Sequence, residues 1–286
     1  MKQLINNSFT SMRRFFFLSM ILLGFALSAN SQESAFQESE FFNSELEKSL
    51  WEKGQEDVFQ LFRAVGFEQA GSTNAWESLV DELDQIAAKN DDKVKLLRQV
   101  FQKTHQRLLK KYEIHSSFNA MLNEGKYDCV SGSAALGLLL DRYNFPFEII
   151  ETDYHVFVIT SLDGKKIILE STLPVGGMIS APSEVEAYLD SYKVEKFAQL
   201  KNPSQRLAGP QIDYSDNSIF RKVSLVELAG LQYYNDAIVH FNSQSFRKAV
   251  TQLSKAYLLY PSDRIDGLKE LSFDLAYKSY GYDLKK

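Results

Sequence analysis

Cys129 is the only cysteine among the 286 residues. It forms no internal disulfide, so it serves either packing or chemistry. Its setting favours chemistry. It lies in KYDCVSGSAALGLLL, from Lys126 to Leu140. Gly125, Asp128 and Ser131 to Ser133 read as a loop entering a helix. The apolar run from Ala134 to Leu140 reads as a helix buried on all sides. Cys129 is therefore expected at or near a helix N-terminus, where free N–H groups and the positive dipole end stabilise a thiolate. His155 lies in TDYHVFVIT and Glu170 in KKIILEST, with the hairpin signal Asp163-Gly164 between them. Facing side chains on paired strands lie about 5 Å apart, the reach a base needs to the acid that orients it. The chemistry is that of a triad: Cys129 attacks, His155 takes and returns the proton, and Glu170 holds the imidazole.

A cysteine opening a buried helix, a His-Val-Phe-Val strand, a hairpin, and a strand ending Leu-Glu-Ser-Thr resemble, in that order, the transglutaminase-like superfamily, a branch of the papain-like thiol fold. Cys129, His155 and Thr172 match its pattern in type and position. Glu170 stands where the family usually has aspartate, and Val156 and Phe157 stand where a tryptophan often follows the histidine. The resemblance runs from about Phe118 to Gly177. It implies an α+β core in which the cysteine helix packs on an antiparallel sheet, and a reaction that passes through a cysteine thioester.

Elements on either side must position these residues. Ser44 to Val65 reads as a first helix, a second starts at Ala75, and Asn90-Asp91-Asp92 caps a third that ends near Tyr112. His105, among Gln, Lys and Arg, reads as solvated, and His115 as a loop residue. Neither has a partner at a ligand spacing, so no metal and no cofactor are expected. The backbone N–H of Cys129 is the natural first oxyanion donor, and Asn119, Asn123 and Tyr127 are candidates for the second. Glu148, Glu151 and Asp153 are rival acids, although Glu151 and Asp153 are too near His155 along the chain to reach it easily. Pro174 to Pro182 reads either as a border of the substrate groove or as an exit turn.

Met1 to Asn30 has the form of a secretory signal: Arg13 and Arg14, an apolar run from Phe15 to Phe25, then small residues. The run is shorter than the roughly 20 residues of a spanning helix. Residues 1–30 thus read as a signal and 31–200 as the transglutaminase-like domain with its leading helices. Residues 201–223 read as a linker and 224–286 as a helical region. In that last part Tyr233, Ala237, Phe246, Ala249, Leu253, Ala256 and Pro261 resemble a tetratricopeptide repeat, and Ser224-Leu-Val-Glu227 forms a capping box. A single repeat cannot bury its own faces, so it must pack on the thiol domain or dock a partner.

The formal net charge is −5, which argues against nonspecific nucleic-acid binding. The composition and motifs predict an exported protein, periplasmic or extracellular, acting on a peptide or protein substrate. A protein partner could use the C-terminal helices, and contact with a membrane would come only through an uncleaved signal. The expected reaction is hydrolysis of a peptide, amide or isopeptide bond through a Cys129 thioester. The alternative is an inactive thiol fold that serves as a protein-binding module.

Overall fold

The computed structural model describes residues 41–89, 92–199 and 219–285. The expected signal, residues 1–30, and the linker up to residue 218 lie outside the described residues. The described residues fall into two units, divided between Lys48 and Ser49. In the first, Asn43 donates its backbone N–H to Glu47 and Ser44 caps the Glu47 N–H, which starts a helix.

The single N-terminal helix expected from Ser44 to Val65 is two helices, α1 (Glu45–Lys53) and α2 (Val58–Ala64). The break has a steric cause. A Cβ on Gly54 would lie 2.4 Å from Leu61 Cγ, so the chain turns tightly there before Asp57 caps α2 through the Phe59 N–H. Helix α3 spans Asn74–Lys89. Helix α4 spans Lys93–Arg107 and is capped by Asp92. It stops short of Tyr112, because Lys111–Tyr112 form a short strand, β1, parallel to β2 (Lys126–Tyr127). Helix α5 (Phe118–Glu124) lies between them.

Helix α6 runs from Cys129 to Arg142. Ten of its fourteen residues are buried, Val130–Gly137 and Leu139–Leu140, as expected of an apolar run with no solvated face. The sheet follows. Strands β3 (Phe147–Thr152), β4 (Val156–Leu162), β5 (Lys165–Leu169), β6 (Met178–Ile179) and β7 (Phe220–Val223) lie in the order β6-β5-β4-β3-β7, all antiparallel. Asp163 and Gly164, both at positive φ, make the β4–β5 turn. Residues 220–223, expected to close the linker, are instead edge strand β7, paired with β3.

Alternation along the strands splits the core in two. Ile149, Val156, Val158, Ile167 and Leu169 join the main cluster with α6. Ile150, Phe157, Ile159 and Ile168 form a smaller cluster under α7 (Pro182–Gln199), with Val185, Tyr188 and Tyr192. The mixed helix-and-sheet class agrees with the sequence.

The C-terminal part consists of α8 (Leu225–Asn242), α9 (Phe246–Leu259) and α10 (Asp263–Tyr280). Ser224 and Glu227 cap α8 reciprocally. Helix α8 packs on α6 and on α2, with a Leu225 methyl 3.0 Å from where a Cβ on Gly137 would sit. Ala237 and Ala249 are fully buried between α8 and its neighbours. Among the described residues no helix is long and apolar enough to cross a membrane.

Candidate functional site

Cys129 is the first residue of α6. The N-cap is Asp128, whose carboxylate accepts the Ser131 N–H at 2.7 Å, while Ser131 Oγ accepts the Asp128 N–H at 2.9 Å. This box fixes the backbone at the nucleophile. The second oxygen of Asp128 accepts from Asn235 of α8 at 2.9 Å. One turn further on, Gly132 admits the loop that carries Ser171; a Cβ there would lie 2.8 Å from Ser171 Cβ.

His155 sits just before β4 and Glu170 just after β5. The register pairs Val158 with Leu169, and the chain beyond that pair brings the two side chains together. His155 Nε2 lies 2.7 Å from Glu170 Oε2. The other oxygen of Glu170 accepts the backbone N–H of Thr172 at 2.9 Å and its hydroxyl at 2.6 Å. Tyr188 of α7 donates its hydroxyl to Oε2 as well. Burial pushes the Glu170 carboxyl up, but the hydrogen bonds from His155, Thr172 and Tyr188 outweigh it and hold the pKa below the ordinary 4.5. A carboxylate accepts only, so Nε2 carries the proton in this pair. Tyr192, one turn beyond Tyr188, stacks on the imidazole at 6.2 Å with the rings 6° from parallel.

Cys129 and His155 both line a cavity of about 360 Å³. Among the hydrogen bonds of the described residues, none joins the Cys129 sulfur to the imidazole. The backbone N–H groups of Val156 and of Cys129 itself favour the charged form of the sulfur but do not prevail. The helix N-terminus does not leave it a thiolate at rest, as the sequence implied. Burial, the Asp128 carboxylate and the Glu170 carboxylate together push the thiol up to about 12, since all three disfavour a second negative charge.

The rival acids are engaged elsewhere. Glu151, fully buried, accepts from Arg221 Nε at 2.9 Å and from Tyr260, and forms an ion pair with Arg264, tying β3 to β7 and to the C-terminal helices. Asp153 accepts the Ile219 N–H at 2.6 Å, and Glu148 pairs with Lys222 at the surface. The proposed second oxyanion donors are also committed or remote. The amide of Asn119 donates to the carbonyls of Arg63 and Val65, that of Asn123 donates to Gln69, and Tyr127 does not line the cavity. None of residues Pro174–Pro182 lines it either, because the segment folds back and pairs with β5.

His105 is not solvated. It is buried, with Nδ1 and Nε2 each 2.9 Å from a carbonyl oxygen, of Phe101 and of Ser171 respectively, so it braces the loop after Glu170 against α4. His115 lines the cavity, at positive φ, and its Nδ1 is buried without a hydrogen-bond partner. Sequence reasoning missed Tyr188 and Tyr192, whose spacing of four marks a common helical face but names no target. It also missed Tyr112, which lines the cavity and whose hydroxyl is pushed up to about 12 by burial and by Cys129. Among the described residues no three His, Cys, Asp or Glu side chains gather as a metal site.

No family model, no curated protein and no solved structure matches the chain.

Proposed function

We propose that the protein is a thiol acyl-transfer enzyme of the transglutaminase-like, papain-like type, with Cys129 as nucleophile, His155 as base and acid, and Glu170 as the orienting group. The observation that carries this reading is the His155–Glu170 hydrogen bond at 2.7 Å beside a cavity that also receives the first residue of a buried helix. In the reaction, Cys129 Sγ attacks a carbonyl carbon as its proton passes to His155. The tetrahedral oxyanion faces backbone N–H groups at the start of α6. The C–N bond then breaks, the amine leaves with the proton from His155, and a thioester remains. Water, deprotonated by His155, attacks the thioester, and the acid leaves as the thiol is restored. A neutral thiol at rest is compatible with this sequence if attack and proton transfer are coupled.

The substrate class is a peptide, amide or isopeptide bond. The leader of residues 1–30 supports export to the periplasm or beyond, and the alanine pattern of α8 and α9 supports a tetratricopeptide-like reading of those helices. The direct test is intact-mass analysis after brief treatment with p-nitrophenyl acetate. The expected product is a single acetyl group on Cys129, absent in Cys129→Ala and much slower to form and turn over in His155→Ala. Equal labelling of wild type and Cys129→Ala would overturn the reading.

A second reading, a non-catalytic binding module on the same fold, is favoured by one observation: among the hydrogen bonds of the described residues none joins the Cys129 sulfur to His155. It predicts no acetyl-enzyme at all.

A further inference from the structure

Part of the cavity beside Cys129 is built by the C-terminal helices. Leu231, Tyr234, Asn235 and Ile238 of α8 line it, with Arg264 of α10. The four α8 positions are spaced i, i+3, i+4 and i+7, one stripe of a helix. Several polar members of the lining have hydrogen bonds or ion pairs within the protein, whereas His115 Nδ1 is buried without a hydrogen-bond partner. Asn235 donates to Asp128 at 2.9 Å. Arg264 pairs with Glu151, which also takes Arg221 and Tyr260. Asp153 takes the Ile219 N–H. The apolar part of the lining is Leu231, Tyr234 and Ile238, with Val130 next to the nucleophile and Ile114 across the loop. Of the three carboxylates that border the same space, Glu151 is paired with Arg264 and Arg221, and Asp128 and Asp153 are left to disfavour an acidic ligand.

We propose that this α8 stripe is a substrate subsite that takes a large, uncharged apolar side chain of a peptide next to the bond that Cys129 attacks. The C-terminal helices then set specificity at the site. The cavity volume suits one side chain with its flanking backbone. The identity of the occupant rests on the thiol chemistry proposed above; the apolar character of the wall does not.

The test compares two irreversible probes on the full chain, N-acetyl-phenylalanyl and N-acetyl-aspartyl chloromethyl ketone. In each, Cys129 Sγ displaces chloride, a thioether forms, and the thiol proton passes to base or solvent. The ratio of their second-order rate constants reads the subsite apart from the reactivity of the thiol. Wild type should favour the phenylalanyl probe by about tenfold or more, the scale of apolar pocket discrimination. Ile238→Asp should lower that ratio about tenfold, and Ile238→Ala should lower it by a smaller factor. If Ile238→Asp does not fold, as judged by its circular dichroism, the ratio in Ile238→Ala decides. A wild-type ratio near one, or a ratio that neither variant lowers, overturns the proposal. His155→Ala separates the two claims: it should slow both probes equally and leave the ratio intact. If His155→Ala changes neither rate, the triad fails while the ratio still reports on the subsite.

Discussion

Tyr188 and His155 converge on one oxygen of Glu170, the phenol from α7 and the imidazole from the start of β4. The shared acceptor fixes the orientation of the glutamate side chain. The side chain is held at both ends of its carboxylate, by Thr172 on Oε1 and by these two donors on Oε2. Tyr188→Phe removes a hydrogen bond to a charged group, worth about 1.5–3 kcal/mol. The variant should unfold at a lower temperature than wild type and react more slowly at Cys129 near neutral pH. Unchanged values for both would show that Tyr188 does not position Glu170.

Glu170 also makes stability depend on acid. Its pKa in the fold lies below the ordinary 4.5 because the hydrogen bonds from His155, Thr172 and Tyr188 outweigh burial. The unfolded chain therefore binds the proton more readily, and the stabilisation is present above about pH 4.5 and lost as pH falls through the folded value. Thermal melts recorded from about pH 6 downward into acid should show a steeper loss in wild type than in Glu170→Gln. Parallel curves would contradict the assignment.

The Glu151 cluster is structural. One buried carboxylate is shared by Arg221, Arg264 and Tyr260. Removing Glu151 leaves Arg221 and Arg264, both partly exposed, without their counter-charge and costs less than the roughly 3–5 kcal/mol of breaking a fully buried pair. Glu151→Ala should lower the urea midpoint and loosen β7 and α10 together, seen as faster amide exchange in both. Glu151→Ala with native stability would remove the cluster from the set of contacts that holds the C-terminal helices.

Gly132 is required by packing. A methyl group there would press on Ser171, next to the acid of the triad. Gly132→Ala should cost about 1–3 kcal/mol through overpacking. Ser171→Gly added to it should restore part of the loss, which a chemical denaturation cycle on the four proteins would measure. Simple additivity of the two changes would exclude the steric explanation.

The elements that carry Cys129, His155 and Glu170 were legible because their signals are local. Ala134 to Leu140 mark a buried helix and Asp163-Gly164 a hairpin, and both form where they were read; Ser131 to Ser133, read as part of the entering loop, are helical, because Asp128 and Ser131 form a capping box that starts the helix at Cys129. The pairing of His155 with Glu170 followed from that hairpin alone. What the sequence concealed is non-local. Nothing in SEVEAYLDSYK says that Tyr188 and Tyr192 lie over β4 and β5, since that depends on the return of α7 across the sheet. His105 looked solvated because its sequence neighbours are polar, but its own face of α4 is the buried one. Gly54 split a helix that periodicity alone would have continued, because the cause is contact with Leu61 one turn into the next helix. The state of the thiol was misjudged for a related reason. The helix N-terminus is visible in sequence, whereas the burial and the two carboxylates that outweigh it are not.

The most direct measurement is the rate at which iodoacetamide alkylates Cys129 as a function of pH, in wild type and in His155→Ala. The triad predicts that wild type reacts well below pH 9 through proton transfer to His155. His155→Ala should be slower near neutrality by about 100-fold or more, following only the ionisation of a thiol that burial and carboxylates push up to about 12. Superimposable profiles for the two proteins would mean that His155 does not serve Cys129, and the enzymatic reading would fall.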